Sequence, residues 1–305
     1  MSAMSTPAIR LVLPATSANL GPGFDAVGLA ISMYLTVEAQ VAPVFSIAAS
    51  GRNKELVETL DRNLILDTYK LTLSESGVEP QPLKLEIRNE IPLGAGCGSS
   101  AAALLAGVAL ANHFGKLHLG DAGIVAMASR LEGHPDNVAA CWYGGFTVST
   151  QVSDSQVDTA TFAGDPAWEL LLAMQPTSLA TKEARALLPD SYSRADAVFN
   201  IQRSAMLVAA FAEKRLELLK TATRDVLHQP YRLKACPLLE LLLPLTAEEE
   251  IAAVTLSGAG PSVLVVLAKD TTFLEAETRV RQLVDPAVEL VPLRISGGVT
   301  RSIRG

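Results

Sequence analysis

The chain has 305 residues, 49% of them hydrophobic and 19% charged, which provides a sizeable core and room for about two domains of ordinary size. The 25 Lys and Arg against 32 Asp and Glu give a formal net charge of −7, which argues against nucleic acid and acidic membrane surfaces as partners because both need a basic face. The three cysteines are not spaced as a disulfide or zinc pair and no apolar stretch is long enough for a membrane span, so we predict a cytoplasmic protein in a reducing compartment with no membrane partner.

Strand and loop patterns alternate through the first 90 residues. Residues 8–13 and 34–41 are predicted as strands, and the segment PATSANLGPGFDAVGLA between them is predicted as a loop because it is rich in Pro, Gly, Ser and Asn. The segment LKLEIRNEI, residues 83–91, alternates apolar and polar side chains. This alternation predicts a half-buried strand.

Helical patterns follow. Ser99 and Ser100 are candidate N-caps of an Ala- and Leu-rich helix that runs to Phe114 and is closed by Gly115. Because this helix is apolar nearly all round, we predict that it is central and buried. Two further helices are predicted on either side of the turn GHPDN, over residues 121–132 and from Asn137 to Gly144.

The polar segment 153–166 contains Gly164 and Pro166, and we place the domain boundary there, with one domain over residues 1–160 and the other over 161–305. Beyond it the patterns indicate a strand (ELLLAM), several helices, two adjacent strands (IAAVTLS and VLVVLA), a helix and a last strand (VELVPLRI). This order predicts a two-layer α/β sandwich of ferredoxin-like type.

The stretch IPLGAGCGSSAA, residues 91–102, is almost bare of side chains at the start of the long helix. Backbone N–H groups at a helix N-terminus bind phosphate, and glycine lets a ligand approach the backbone. A Walker loop would need Gly-Lys-Ser/Thr, which is absent, and the dinucleotide fingerprint formally present in GCGSSA lacks the acidic strand end that should follow. An unusual phosphate loop and a tight turn that begins a core helix both remain open.

Two more loops favour a ligand site. The segment LEGHPDNVA gathers Glu132, His134, Asp136 and Asn137 around a proline turn, and phosphate-bound Mg²⁺ takes a carboxylate of this kind. Alone, the segment is equally typical of a solvated helix end. The segment LSGAGPSVLVV, residues 256–266, is a second bare loop between apolar strands, although a plain hairpin turn has the same pattern.

These motifs together resemble those of the GHMP family of small-molecule kinases. The family's phosphate motif, P-x-x-x-G-L-G-S-S-A-A, is matched by residues 92–102 with Cys97 in place of the usual Leu, and its C-terminal glycine motif is matched by residues 257–262. The segments PATSANLGPGFDAVGLA, EGHPDNVA, TKEARALLP and HQPYR resemble the branch that acts on L-homoserine. Mevalonate-type members carry an early Gly-Lys, whereas the first lysine here is Lys54.

The resemblance implies an α+β fold in two domains: an N-terminal domain like the second domain of ribosomal protein S5 and a C-terminal ferredoxin-like α/β sandwich. It implies that ATP, with Mg²⁺, lies on the 92–102 loop in a cleft between the domains. The implied reaction phosphorylates the hydroxyl of L-homoserine to O-phospho-L-homoserine, a step towards threonine. Family members often pair, so a homodimer is also implied.

The resemblance also implies roles for single residues. Ser100 and Glu132 are expected to hold Mg²⁺ and to be catalytic. Two mechanisms are open: phosphoryl transfer without a dedicated base, and transfer in which Asp25 is the base. The residues expected to bind ATP are Asn63, Pro92, Leu93, Gly94, Ala95, Gly96, Cys97, Gly98, Ser99, Ser100, Ala101 and Ala102. The residues expected to surround homoserine are Asn19, Asp25, His134, Asp136, Asn137, Thr181, Arg185, Arg232 and Gly260.

The chemistry of such a substrate matches these residue types. Arg185 and Arg232 are candidates for gripping a carboxylate, and Asp25 or Asp136 for receiving an ammonium group. Thr181 and Arg185 are four residues apart, hence on one face of a helix. Without the resemblance, a helix cap and a solvated arginine explain Thr181 and Arg185, and a surface ion pair explains Arg232.

Two other functions remain open. One is another branch of the family, a mevalonate-type kinase or an ATP-dependent decarboxylase. The other is a sensor that binds ATP and a metabolite without turnover.

Overall fold

The structure, a computed structural model, describes residues 7–165, 167–177 and 179–304. Its larger sheet has seven strands in the order β11-β1-β2-β4-β3, with β5 paired to β2 and β6 to β5. All pairs are antiparallel except β3 with β4. The strands are β1 (Ala8–Ala18), β2 (Val27–Val41), β3 (Ser46–Gly51), β4 (Leu83–Asn89), β5 (Phe146–Ser153), β6 (Gln156–Phe162) and β11 (Thr300–Arg304).

Five helices accompany this sheet, and the central one is α3, whose apolar residues are buried nearly all round, as predicted. It packs against three other helices and against β1 and β2. The alternating burial of β4 also confirms its prediction as a half-buried strand. The five helices are α1 (Lys54–Val57), α2 (Leu64–Glu75), α3 (Ser99–Gly115), α4 (Asp121–Glu132) and α5 (Asp136–Tyr143).

The smaller sheet is antiparallel throughout and has the order β10-β7-β9-β8. Numbered along this part of the chain, the strands lie in the order 4-1-3-2, so the ferredoxin-like prediction is confirmed. The strands are β7 (Glu169–Met174), β8 (Ile251–Leu256), β9 (Val263–Leu267) and β10 (Glu289–Arg294). The helices are α6 (Thr181–Ala186), α7 (Arg194–Ala212), α8 (Leu219–Ala222), α9 (Gln229–Arg232), α10 (Pro237–Leu242) and α11 (Phe273–Arg281), with 3-10 turns at Leu216–Leu218 and Leu243–Ala247.

The loop between the first two strands, predicted over residues 14–30, is shorter at both ends in the structure, so the predicted bounds are wrong. β1 continues to Ala18 and β2 begins at Val27, and residues 15–18 pair with residues 28–31. The composition of this segment is typical of a loop, but its small residues are buried in the sheet. A strand accepts Ser, Thr and Ala at positions where neighbouring elements pack closely against it.

The caps of α3 also differ from the prediction. Its N-cap is Gly98, in the left-handed conformation at φ 68°, whereas Ser99 and Ser100 lie inside the first turn and make no capping bond. At the other end Gly115 is still helical, and Lys116 adopts the left-handed conformation.

The segment predicted as a domain boundary contains β6, which pairs with β5 in the larger sheet, while Pro166 lies outside the described residues. The last strand, β11, also returns to the larger sheet beside β1. One buried apolar cluster includes side chains of both sheets, with Phe146 of β5 stacked on Phe211 of α7 at 3.9 Å between ring centroids. The division into residues 1–160 and 161–305 stays a prediction.

None of the helices in the described ranges is both long and apolar enough to cross a bilayer.

Candidate active site

A cavity of about 280 Å³ lies where loops of the two sheets meet. Its walls come from residues 19–25, the glycine loop (residues 92–98), the start of α3, the turn between α4 and α5, the start of α6, and the turn after β8. Its lining residues are Asn19, Phe24, Asp25, Gly94, Gly96, Cys97, Gly98, Ser99, Ser100, Glu132, His134, Asp136, Asn137, Leu179, Ala180, Thr181, Arg185, Arg232, Gly258, Ala259 and Gly260.

The glycine loop needs its glycines for two reasons. Gly96 and Gly98 have φ of 76° and 68°, a region that side chains disfavour. A Cβ on Gly96 would also lie 2.2 Å from the carbonyl oxygen of Ser257. The hydroxyl of Ser257 donates a hydrogen bond to the carbonyl oxygen of Gly96 at 2.8 Å. This hydrogen bond joins the glycine loop to the second glycine-rich loop, which follows β8.

At the start of α3 the hydroxyl of Ser100 donates to Oε1 of Glu132, the last residue of α4, at 2.6 Å. Burial raises the pKa of Glu132, and the hydrogen bond from Ser100 opposes that rise. The pair places a hydroxyl and a carboxylate side by side beside the glycine loop. These are the hard oxygen donors that Mg²⁺ prefers.

The turn between α4 and α5 holds a buried hydrogen-bond network. Oδ1 of Asp136 lies 2.6 Å from Nδ1 of His134 and accepts from both N and Nδ2 of Asn137, at 2.6 and 3.2 Å. Burial alone would lower the pKa of His134, but the bond to Asp136 and the carboxylates nearby raise it. Ligand atoms of Asp25, His134 and Asp136 all lie within 4.8 Å of one another.

Arg185 of α6 forms a two-pronged ion pair with Asp25, with Nη1 and Nη2 at 2.9 and 2.6 Å from the two carboxylate oxygens. Asp25 has a left-handed backbone, φ 57°, and its N–H donates to Oδ1 of Asn19 at 3.0 Å. The bond to Asp25 raises the pKa of Arg185. Both oxygens of this carboxylate therefore have a cationic partner.

Arg232 has a different environment. Its side chain is buried, with 1% of the residue exposed, and its Nε donates to the carbonyl oxygen of Ala184 at 3.2 Å. Its Nη1 lies 3.1 Å from Nδ1 of His228, whose Nε2 lies 2.7 Å from the carbonyl oxygen of Gly21. Burial lowers the pKa of His228, so the neutral ring accepts from Arg232 and donates to Gly21.

Burial also lowers the pKa of Arg232, and the nearby charge of Arg185 adds to this. Both guanidinium groups lie near the ring of Phe24, at 5.4 and 5.5 Å from its centroid. Within the described part of the chain no carboxylate forms an ion pair with Arg232. Because an uncompensated buried charge is costly, an anion in the cavity is the partner that this group lacks.

The structure brings together all nine residues predicted to surround homoserine, and Thr181 and Arg185 share one face of α6 as expected. It also brings Gly94, Gly96 and Gly98 to the cavity with Cys97, Ser99 and Ser100. The other residues predicted to bind ATP do not line it: Pro92, Leu93, Ala95, Ala101, Ala102 and Asn63.

Asn63 has a local role. Its side chain caps α2 by accepting from the N–H groups of Ile65 and Leu66, and it donates to the carbonyl oxygen of Val57. Ala101 and Ala102 are fully buried in the core. The contacts with ATP expected of these residues stay predictions.

Sequence reasoning missed some residues of the site. Phe24 lines the cavity and His228 supports Arg232, yet the sequence signal for both was only their place inside the motifs GPGFD and HQPYR. Thr16 was assigned to a loop, although it lies on β1 and donates a hydrogen bond to Asn137.

Residues 63–145 match the family model described as the GHMP kinases N-terminal domain. The chain is 43% identical over 256 residues to a homoserine kinase of Solibacter usitatus, which covers 84% of each chain. It is 42% identical over 254 residues to a homoserine kinase of Thermus thermophilus, covering 83% of this chain and 85% of that one. The chain belongs to the homoserine kinase family.

Solved structures agree on the fold of this GHMP kinase. A homoserine kinase of Cytophaga hutchinsonii superposes with a TM-score of 0.80 over 99% of both chains at 22% identity. A mevalonate diphosphate decarboxylase of Enterococcus faecalis superposes with a TM-score of 0.69 over 98% of this chain and 99% of that one at 17% identity. The fold is thus shared by this kinase family and by a decarboxylase.

Proposed function

We propose that this kinase transfers the γ-phosphoryl group of ATP to the hydroxyl of L-homoserine, giving ADP and O-phospho-L-homoserine, a step towards threonine. The observation that carries the proposal is the buried guanidinium of Arg232, which lines the cavity and has no carboxylate partner among the residues described. A substrate carboxylate supplies the missing anion and accepts charge-assisted hydrogen bonds.

The rest of the cavity fits the other two groups of homoserine. Asp136 and Asp25 supply negative charge for an ammonium group, although Asp25 must share its charge with Arg185. The hydroxyl belongs beside the glycine loop, where backbone N–H groups and the N-terminus of α3 favour phosphate. Loop residues and substrate residues line one cavity, which supports direct transfer between two bound substrates.

Ser100 and Glu132 would hold Mg²⁺, since their oxygens already meet beside the glycine loop. The ion, when bound, would neutralise the negative charge that develops on the oxygen that leaves with ADP.

Transfer proceeds without a dedicated strong base. The hydroxyl oxygen of homoserine attacks the γ-phosphorus, the bond from the γ-phosphorus to the β-phosphate oxygen breaks, ADP leaves, and the hydroxyl proton passes to water. Asp25 is a poor candidate base because both of its oxygens accept from Arg185. Phosphoryl transfer asks mainly for alignment and charge neutralisation, which the loop, the helix and the arginines supply.

A substrate assay tests the function. Purified protein with ATP and Mg²⁺ should release ADP far faster with L-homoserine than with mevalonate, mevalonate diphosphate, galactose or L-serine. Phosphorus NMR of the product should show a phosphomonoester on homoserine. Faster turnover of a mevalonate derivative would reject homoserine as the substrate, and ATP binding without any turnover would favour a sensor.

The cellular setting is also proposed. The three cysteines are free and buried, which supports a reducing, cytoplasmic compartment. A homodimer is proposed from the family alone, and sedimentation of the purified chain tests it.

A further inference from the structure

Thr16 links two parts of the cavity wall that are distant in sequence. It is fully buried on β1, and its N–H donates to the carbonyl oxygen of Cys97 in the glycine loop at 3.1 Å. Its Oγ1 lies 2.6 Å from Oδ1 of Asn137 in the first turn of α5. A Cβ on Gly98 would lie 1.9 Å from this Oγ1, so the hydroxyl rests directly against the last glycine of the loop.

The hydrogen bonds fix which way the amide of Asn137 points. Oδ1 of Asp136 accepts from Nδ2 and from the backbone N–H of Asn137. Nδ2 must therefore face Asp136, which turns Oδ1 towards Thr16. The hydroxyl of Thr16 must then be the donor in their short bond. Nδ2 carries two hydrogens, and only one of them is used by Asp136.

We propose that Thr16 is a positioning residue for phosphoryl transfer. Its hydroxyl holds the amide of Asn137 in one orientation, and its N–H fixes the position of this amide relative to the glycine loop. The second hydrogen of Nδ2 is then available to donate to a ligand in the cavity, where the acceptor hydroxyl and the phosphate meet. Asn137 lines that cavity, whereas Thr16 does not. The inference rests on the proposed function and adds to it the residue that couples the acceptor side of the site to the phosphate side.

Thr16→Val replaces the hydroxyl by a methyl group and leaves Oδ1 of Asn137 without its buried donor. The expected result is a fall in kcat of roughly ten- to a hundredfold, with the KM for ATP and for homoserine changed by less than about threefold. Thr16→Ser keeps the donor and should restore most of kcat. A residue that only supported the fold would show no such split between kcat and KM.

Ser17→Ala is the matched control. Ser17 is the next residue of β1, is equally buried, and has no hydrogen-bond partner for Oγ among the described residues. Its loss should leave kcat unchanged. Thermal unfolding of all three variants, followed by circular dichroism, shows whether each is folded at the assay temperature.

The decisive measurement is a double-mutant cycle with Asn137→Ala. If Thr16 acts through Asn137, adding Thr16→Val to Asn137→Ala should cost little further activity. Additive losses would overturn the proposal, as would wild-type kcat in a folded Thr16→Val or equal losses in the Ser and Val variants. If the wild type fails on homoserine but phosphorylates another acceptor, the proposed function fails, and the same variants assayed with that acceptor still test Thr16.

Discussion

The two arginines of the cavity differ in what surrounds them. Arg185 is partly exposed and holds Asp25 with two hydrogen bonds, so its charge is already compensated. Arg232 is buried, and its neighbours are the carbonyl oxygen of Ala184 and the neutral ring of His228. An arriving carboxylate should therefore gain more from Arg232 than from Arg185, because no carboxylate of the described residues is ion-paired with Arg232, whereas Arg185 is already paired with Asp25.

Replacement by lysine tests this difference. Arg232→Lys should lower kcat/KM for homoserine by roughly ten- to a hundredfold, because an ammonium group cannot reproduce the planar fork of donors. Arg185→Lys should lose less, and neither change should alter the KM for ATP. Steady-state kinetics with each substrate varied in turn measures this, and Arg279→Lys, in an exposed ion pair with Glu250, is the control. A rise in the KM for ATP alone would place Arg232 at the nucleotide.

Glu132 gives a second prediction at this scale. Glu132→Gln keeps the shape of the side chain but removes the charge expected to hold Mg²⁺, so kcat should fall by roughly a hundredfold or more and half-maximal activity should need more Mg²⁺. Activity measured over a range of Mg²⁺ concentrations tests this, and Glu75→Gln, in an ion pair with Arg130, is the control. An unchanged Mg²⁺ dependence would contradict the assignment.

At the scale of elements, α3 is held by close packing against α2. Gly107, in the middle of α3, has no left-handed backbone, yet a Cβ there would lie 2.5 Å from Cβ of Thr68 and 2.7 Å from the carbonyl oxygen of Ile65. A glycine in a helix normally costs stability, so its presence here reflects the short distance between the helices. This packing fixes the helix whose N-terminus faces the cavity.

Gly107→Ala should therefore lower the free energy of unfolding by about 1–3 kcal/mol, although alanine is the better helix former. Gly123 of α4 is the matched control, because a Cβ there meets nothing closer than 3.6 Å. Gly123→Ala should raise the free energy of unfolding by about 0.5–1 kcal/mol. Urea unfolding of both variants measures the two values. Stabilisation by both changes would show that α2 and α3 can separate at little cost.

At the scale of the whole molecule, both sheets contribute to one apolar cluster. Leu13 and Phe146 of the larger sheet belong to it together with Trp168, Leu172 and Phe211 from the second half of the chain. Residues 19–25 are also tied to the second half, since Asn200 and Ser204 both donate to the carbonyl oxygen of Pro22. Such shared contacts favour unfolding as a single unit.

We expect one cooperative unfolding transition, with equal calorimetric and van't Hoff enthalpies. Phe211→Ala should shift this single transition and lower the free energy of unfolding by about 3–5 kcal/mol, because it removes the ring stacked on Phe146. Phe199→Ala, also on α7 but only partly buried, should cost clearly less. Two resolved transitions, of which Phe211→Ala shifts only one, would contradict a shared core and support two independent domains.

The amino-acid sequence alone predicts those structural features that depend on residues close together in the chain. The alternation in β4, the apolar α3 and the glycine loop were all predicted, because side-chain periodicity and the freedom of glycine are local properties. The ferredoxin-like type of the smaller sheet was predicted from the order of its strands and helices along the chain. The polar residues that line the cavity were also predicted, because they lie in motifs that resemble those of the family. The ends of β1 and β2 were missed because short polar residues look like a loop until their burial is known.

How those residues are paired depends on the packing of elements that are distant in the sequence. The bonds between Arg185 and Asp25 join residues 160 apart, and the bond between Thr16 and Asn137 joins residues 121 apart. No local pattern encodes such contacts, because each depends on how separate elements pack and on which charges lose their water. The same packing buries Arg232 with no carboxylate ion-paired to it in the described part of the chain, and this desolvated charge favours an anion in the cavity.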